Sequence, residues 1–102
     1  MFKSLKSWAN LDAIIRPFIT YTGTGAKVFG NNLSIKCYAE GKVVVTKNSA
    51  GEEVVSNKQL YVDGNTQVYE LDHVLFEGLE SSVQSIGYFY RGGKVDLKVV
   101  YL

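Results

Sequence analysis

The chain has one cysteine, one histidine, one proline and one tryptophan in 102 residues, and each scarcity excludes something. Cys37 cannot form a disulfide within the chain, and a lone thiolate cannot build a metal cage, so folding in a reducing compartment is expected. The single histidine, His73, lies 36 positions away, and carboxylates without diagnostic spacing would have to complete any ligand set. No metal, cofactor or catalytic set is expected. No apolar run approaches the ~20 residues of a membrane span, and Met1-Phe-Lys-Ser-Leu-Lys-Ser-Trp8 is too mixed for the apolar stretch of a signal peptide. Neither membrane insertion nor secretion is expected. Asn32-Leu-Ser34 matches the glycosylation tripeptide, a pattern short enough to arise by chance. The net charge of +1 argues against a dedicated nucleic-acid binder, a class that concentrates basic residues to neutralise phosphates.

What is present is aromatic and β-branched. Seven Tyr, five Phe and one Trp sit among many Val, Ile and Thr, the residues that suit a pleated, half-buried surface. Hydrophobic residues make up 46% and charged ones 21%, which places the chain with folded proteins, and its length suits one domain over 1–102. Residues 33–39 alternate cleanly, with Leu33, Ile35, Cys37 and Ala39 on one face, and predict a strand that bends at Gly41 and continues through Val43-Val44-Val45-Thr46. Asn48-Ser-Ala-Gly51 supplies turn chemistry, so 42–63 reads as a hairpin with a polar tip and a second arm from Val54 to Asp63. Short strands follow at His73–Phe76 and Val83–Tyr90. Arg91-Gly-Gly-Lys94 is a tight turn, and the closing strand 95–102 is expected to face inward through Val95, Leu97 and Val99.

The first 32 residues look irregular. Ser7 or Asn10 could cap a short helix carrying Leu11, Ile14 and Ile15, with Pro17 ending it; Phe18–Thr22 then reads as a strand and Gly23–Asn32 as a mobile loop. The expected architecture is all-β: a small, partly closed barrel of about six strands with at most one short N-terminal helix, its main sheet formed by 33–102. Charge is unevenly distributed. Residues 1–48 carry seven basic and two acidic side chains, residues 49–90 carry seven acidic and one basic, and the last twelve are net positive by two.

Three patterns invite a chemical reading. Asp72 and His73 are neighbours in a strand, so their side chains leave on opposite faces and cannot serve as a base and its orienting partner; His73 is read as structural. Gly23-Thr24-Gly25-Ala26-Lys27 lacks the GxxxxGK spacing and the following Ser or Thr of a phosphate-cradling loop, and is read as a connector. Tyr38, Tyr88 and Tyr90, flanked by Lys36 and Arg91, could stack bases on an oligonucleotide-binding barrel, but the acidic middle of the chain would repel phosphate, and protein contact is the preferred use of the same side chains.

The runs Tyr38-Ala-Glu-Gly, Asn48-Ser-Ala-Gly-Glu-Glu-Val-Val-Ser, Leu60-Tyr-Val-Asp-Gly, Leu71-Asp-His-Val-Leu-Phe-Glu-Gly and the terminal Gly92-Gly-Lys…Val-Val-Tyr-Leu follow an order of turns and apolar positions. That order resembles the minor capsid or head-completion proteins of tailed bacteriophages, the stopper-type head–tail connectors. The resemblance implies a β-barrel subunit that joins copies of itself in a ring between the portal or adaptor and the tail, made in the host bacterial cytoplasm and carried in the virion. A tail-completion or terminator role is the near alternative. It also implies that loops contact ring neighbours or close the channel, here Gly23, Thr24, Gly25, Ala26 and Lys27, and Lys47, Asn48, Ser49, Ala50, Gly51, Glu52 and Glu53. No membrane and no specific nucleic-acid sequence enters this expectation.

Overall fold

The computed structural model describes residues 11–102, which hold eleven strands and no helix. In chain order these are β1 (Leu11–Arg16), β2 (Phe18–Tyr21), β3 (Lys27–Phe29), β4 (Leu33–Glu40), β5 (Val44–Lys47) and β6 (Glu53–Ser56). They continue with β7 (Gln59–Asp63), β8 (His73–Phe76), β9 (Leu79–Ser82), β10 (Ser85–Arg91) and β11 (Lys94–Tyr101). Seven of them form one antiparallel sheet in the order β10-β11-β7-β4-β1-β8-β9, curled into a half-barrel. The other four make two satellite hairpins, β2–β3 and β5–β6.

The expected helix over Leu11, Ile14 and Ile15 is instead β1, near the middle of the main sheet, so that sheet is not confined to 33–102. Ala13 and Ile15 are buried in alternation with less buried neighbours, and Ile14 and Ile15 pair with β4 on one side and β8 on the other. The period of two prevails over the i, i+3, i+4 spacing because both flanking ladders supply hydrogen bonds that an isolated six-residue helix would not match. The candidate caps Ser7 and Asn10 lie outside the described residues. Pro17 ends β1, and the chain turns out of the main sheet into β2.

One core fills the inner face. Ala13, Ile15, Cys37, Leu60, Val62, Val74, Phe76 and Val100 enter it from the sheet, joined by Val68, Val83 and Leu102. Each large member contributes roughly 1.5–3 kcal/mol through its burial. Strand β11 differs from expectation: Val100 faces this core, whereas Leu97 and Val99 point to the opposite face and are nonetheless buried. A strand covered on both sides reads as an apolar run, and its inward parity cannot be taken from hydrophobicity alone.

Several connections are shorter or sharper than the sequence suggested. The strand beginning at Leu33 stops at Glu40, and Val44–Lys47 joins the second satellite hairpin rather than continuing the sheet. The arm expected over Val54–Asp63 is broken at Asn57 and Lys58, where Asn57 N–H donates to Leu102 O and Leu102 N–H donates to Lys58 O. Glu77 and Gly78 both have positive φ and turn β8 back on β9, a strand the sequence reading missed. Gly92 and Gly93 have φ of 59° and 78° and make the expected tight turn. Gly64 is required for a different reason: a Cβ there would sit 2.0 Å from the Val95 carbonyl oxygen.

Candidate protein-interaction surface

The two satellite hairpins carry every interaction residue expected from the sequence, and each is fastened to the half-barrel in its own way. For β2–β3 the fastening begins with Asp72, which is buried. One carboxylate oxygen accepts Phe18 N–H at 2.8 Å and the other accepts Tyr69 N–H at 2.9 Å, tying the start of β2 to the loop before β8. His73 leaves on the other side of the strand, as its sequence position requires. Its Nδ1 lies 2.7 Å from Glu80 Oε2, and Nε2 lies 3.2 Å from Ser82 Oγ and 3.3 Å from Lys27 Nζ. Lys27 is a pure donor, so Nε2 accepts from it and Nδ1–H donates to the carboxylate.

Around this imidazole the Phe29 ring packs at 4.6 Å, the Arg16 guanidinium lies 4.6 Å over Phe29, and Arg16 donates to Glu80 at 2.6 Å. The hydrogen bond from His73, and then that from Arg16, hold the Glu80 carboxyl below its ordinary range. Ser82, His73 and Glu80 thus have the connectivity of a serine–histidine–carboxylate relay. Nε2, however, is shared with an ammonium, and the carboxylate is also committed to a guanidinium. Charge and ring contacts from β1, β3, β8 and β9 meet here, and what the arrangement does is hold β2–β3 against β8.

The Gly23–Lys27 segment is consequently a formed hairpin turn. Thr22 O accepts Gly25 N–H at 3.0 Å, Thr22 Oγ1 accepts Ala26 N–H at 3.1 Å, and Gly25 has φ of 90°. Lys27, expected as a loop residue, begins β3 and donates to Leu71 O at 3.2 Å beside His73. Gly23, Thr24 and Gly25 remain exposed at the tip.

The second hairpin is held mostly by neutral hydrogen bonds. Gln59 Nε2 donates to Lys42 O at 2.9 Å, and Ser85 Oγ donates to Lys47 O at 2.6 Å. Its tip is organised by Asn48, whose Oδ1 accepts the N–H groups of Ala50 and Glu52 at 3.0 Å each, with Gly51 at φ of 80°. Ser49 then donates from both N–H and Oγ to the Glu70 carboxylate at 2.8 Å. The Lys47–Glu53 tip therefore has anchors that the sequence did not reveal, because Glu70 is far along the chain.

A groove of about 560 Å³ opens beside this tip, with Glu52, Tyr69, Glu70, Leu71 and Tyr88 among its lining residues. Val45 and Val55 are exposed on the same hairpin and pair directly across it, and Val43, just before β5, is exposed as well. Ile19 and Tyr21 are exposed on β2, and Tyr88, Phe89 and Tyr90 on β10, an edge strand. The three tyrosines weighed for base stacking do not form one platform. Tyr38 is in register with Tyr61, Val99 and Gly87, which puts it on the face opposite Tyr88. The charge split is also partly consumed inside the subunit, where Arg16 pairs with Glu80, Lys36 with Asp12 and Lys42 with Glu40.

No family model matches this sequence, and no curated protein aligns with it significantly.

Proposed function

We propose that this chain is a structural subunit of a head–tail connector ring in a tailed bacteriophage, of the head-completion or stopper type. The observation that carries the proposal is the β5–β6 hairpin, whose polar tip is tied down by Glu70 and Ser85 while Val45 and Val55 on it, and Val43 just before it, face solvent. Fixed, exposed apolar surface is the form expected of a docking element, since its rigidity lowers the ordering cost of association. A ring uses heterologous contacts, one face of a subunit against a different face of the next. The valine face on β5–β6 and the aromatic edge of β10 are two such unlike surfaces. The order of turns and apolar positions that resembles connector proteins supplies the identity of the assembly, with the portal or adaptor on one side and the tail on the other.

Deleting the gene from its phage tests this. The expected phenotype is DNA-filled heads that leak their contents and tails that accumulate unattached, with normal portal and capsid assembly. Infectious particles of normal morphology would refute the proposal.

A further inference from the structure

Most basic side chains in the described part of the chain are committed to neighbours within it. Arg16, Lys36 and Lys42 pair with carboxylates, and Lys27 lies beside His73. Lys58 lies over the Phe76 ring, Lys98 donates to Thr66 O, and Lys47 stands opposite Glu53 across β5–β6. Arg91 and Lys94 differ. Both are exposed, and among the described residues no ion pair or side-chain hydrogen bond holds either. They flank Gly92 and Gly93, so the β10–β11 turn is a slender basic tip with no side chain at its apex, and the exposed Tyr90 leads into it.

The groove beside the β5–β6 tip has the opposite character. At about 560 Å³ it falls in the size range of small-ligand sites, ~300–1,000 Å³, and has room for a partner's side chains. Tyr69, Leu71 and Tyr88 line it, all three exposed, together with Glu52 and Glu70. The two carboxylates accept hydrogen bonds from Asn48 and Ser49, both neutral, and no basic side chain among the described residues pairs with either. Lys98 lies 5.9 Å over the Tyr88 ring, which leaves Tyr69 as the open one. Leu71 holds φ of 80°, a left-handed conformation that costs a non-glycine residue ~1–3 kcal/mol. Its side chain is 43% exposed, so packing does not offset that strain, and strain of this kind collects at binding sites.

We propose that copies of this chain associate head to tail, with the Arg91–Lys94 turn of one seated in the groove of the next. A guanidinium is planar, stacks on an aromatic face and pairs with carboxylates, so Arg91 suits Tyr69 together with Glu52 and Glu70. Tyr90 adds apolar area beside Leu71. Within one copy the turn does not serve its own groove, since Arg91 lies roughly 10 Å beyond Tyr88 along the same strand. Pairing of two β10 strands about a two-fold axis is the rival arrangement. It is disfavoured, because the β5–β6 tip lies beside the start of β10 at Ser85 and Ile86, and a bulge between Phe89 and Tyr90 interrupts its end. Turn and groove are unlike surfaces, so their contact is heterologous and repeats from copy to copy. It requires no component but this chain and therefore stands apart from the phage assignment.

Sedimentation velocity of the purified full chain at low salt, from micromolar to submillimolar concentration, tests the contact. The expected result is species larger than a dimer that grow with concentration and shrink as salt is raised. Arg91→Ser with Lys94→Ser disables the turn, and Glu52→Lys with Tyr69→Lys disables the groove. All four positions are exposed, and circular dichroism checks that the sheet persists. Each double variant alone is expected to associate more weakly by roughly tenfold or more, as loss of an arginine or aromatic anchor does. An equimolar mixture of the two should form a discrete heterodimer, because one intact turn then meets one intact groove. An unaltered chain that stays monomeric throughout would overturn the proposal. So would assembly that stops at a dimer, which would assign the contact to two-fold β10 pairing, or assembly that the turn variant leaves unchanged, which would place it on the valine face.

Discussion

The hairpins β2–β3 and β5–β6 are the same device attached by different chemistry. The first is held by a buried carboxylate on two backbone amides and by an ionic and aromatic cluster of Arg16, Lys27, Phe29, His73 and Glu80. The second is held by neutral hydrogen bonds from Gln59 and Ser85 to backbone carbonyls, plus one exposed serine–carboxylate contact at its tip. The difference separates roles within one small domain. The first attachment draws on charged side chains from four strands, while the hairpin attached mainly by neutral contacts leaves its valine face exposed.

The largest effect that would break this comparison is at Asp72. Asp72→Ala leaves two amides without their acceptor, and each such loss costs about 1–3 kcal/mol, so a destabilisation of roughly 3–5 kcal/mol is expected in urea unfolding. Amide exchange should rise at Phe18 and Tyr69 before it rises in the core. The counterpart in the other hairpin is smaller. Glu70→Ala removes an exposed tip contact and should cost ~1 kcal/mol, with faster exchange at Ser49 and no change around His73.

How much of this was legible in the sequence depended on chain separation. The strand at Leu33–Glu40, the His73–Phe76 strand and the Gly92-Gly93 turn were readable because alternation and glycine chemistry are local signals. So was the divergence of Asp72 and His73, which follows from the pleat alone. The strand over Leu11–Arg16 was not, because a six-residue apolar segment fits either period and only the ladders with β4 and β8 decide it. Nor was the His73 cluster, whose members come from four strands, or the Ser49–Glu70 contact that ties down the Lys47–Glu53 tip. In β11, burial on both faces concealed which parity faced the core.

Acid should sharpen the contrast between the hairpins. The Glu80 carboxyl is held below its ordinary value of 4.5 by the hydrogen bonds from His73 and Arg16, so its contribution is present above that value and lost as pH falls through the lowered one. Glu80→Gln should be less stable than the unaltered protein at neutral pH. The gap should close as pH falls below ~4.5, read from urea midpoints across the range. The β5–β6 attachment at Gln59 and Ser85 contains no titrating group and should show no matching change in amide exchange.

The smallest effect on stability, and the most informative for function, is expected on the valine face. Val45→Lys combined with Val55→Glu alters only exposed positions, replaces the valine pair by an opposite-charge pair across the hairpin, and should stay within about 0.5 kcal/mol of the unaltered protein. Incorporation into phage particles should nevertheless be abolished in a complementation assay. Normal incorporation would move the docking surface away from β5–β6.

The central claim, that this chain is a connector subunit, is tested most directly by quantitative mass spectrometry of purified particles of the phage that encodes it, with the neck imaged by cryo-electron microscopy. The account predicts a small, fixed copy number per particle and a ring of half-barrel density between portal and tail. Intact, infectious particles that lack the chain would contradict it.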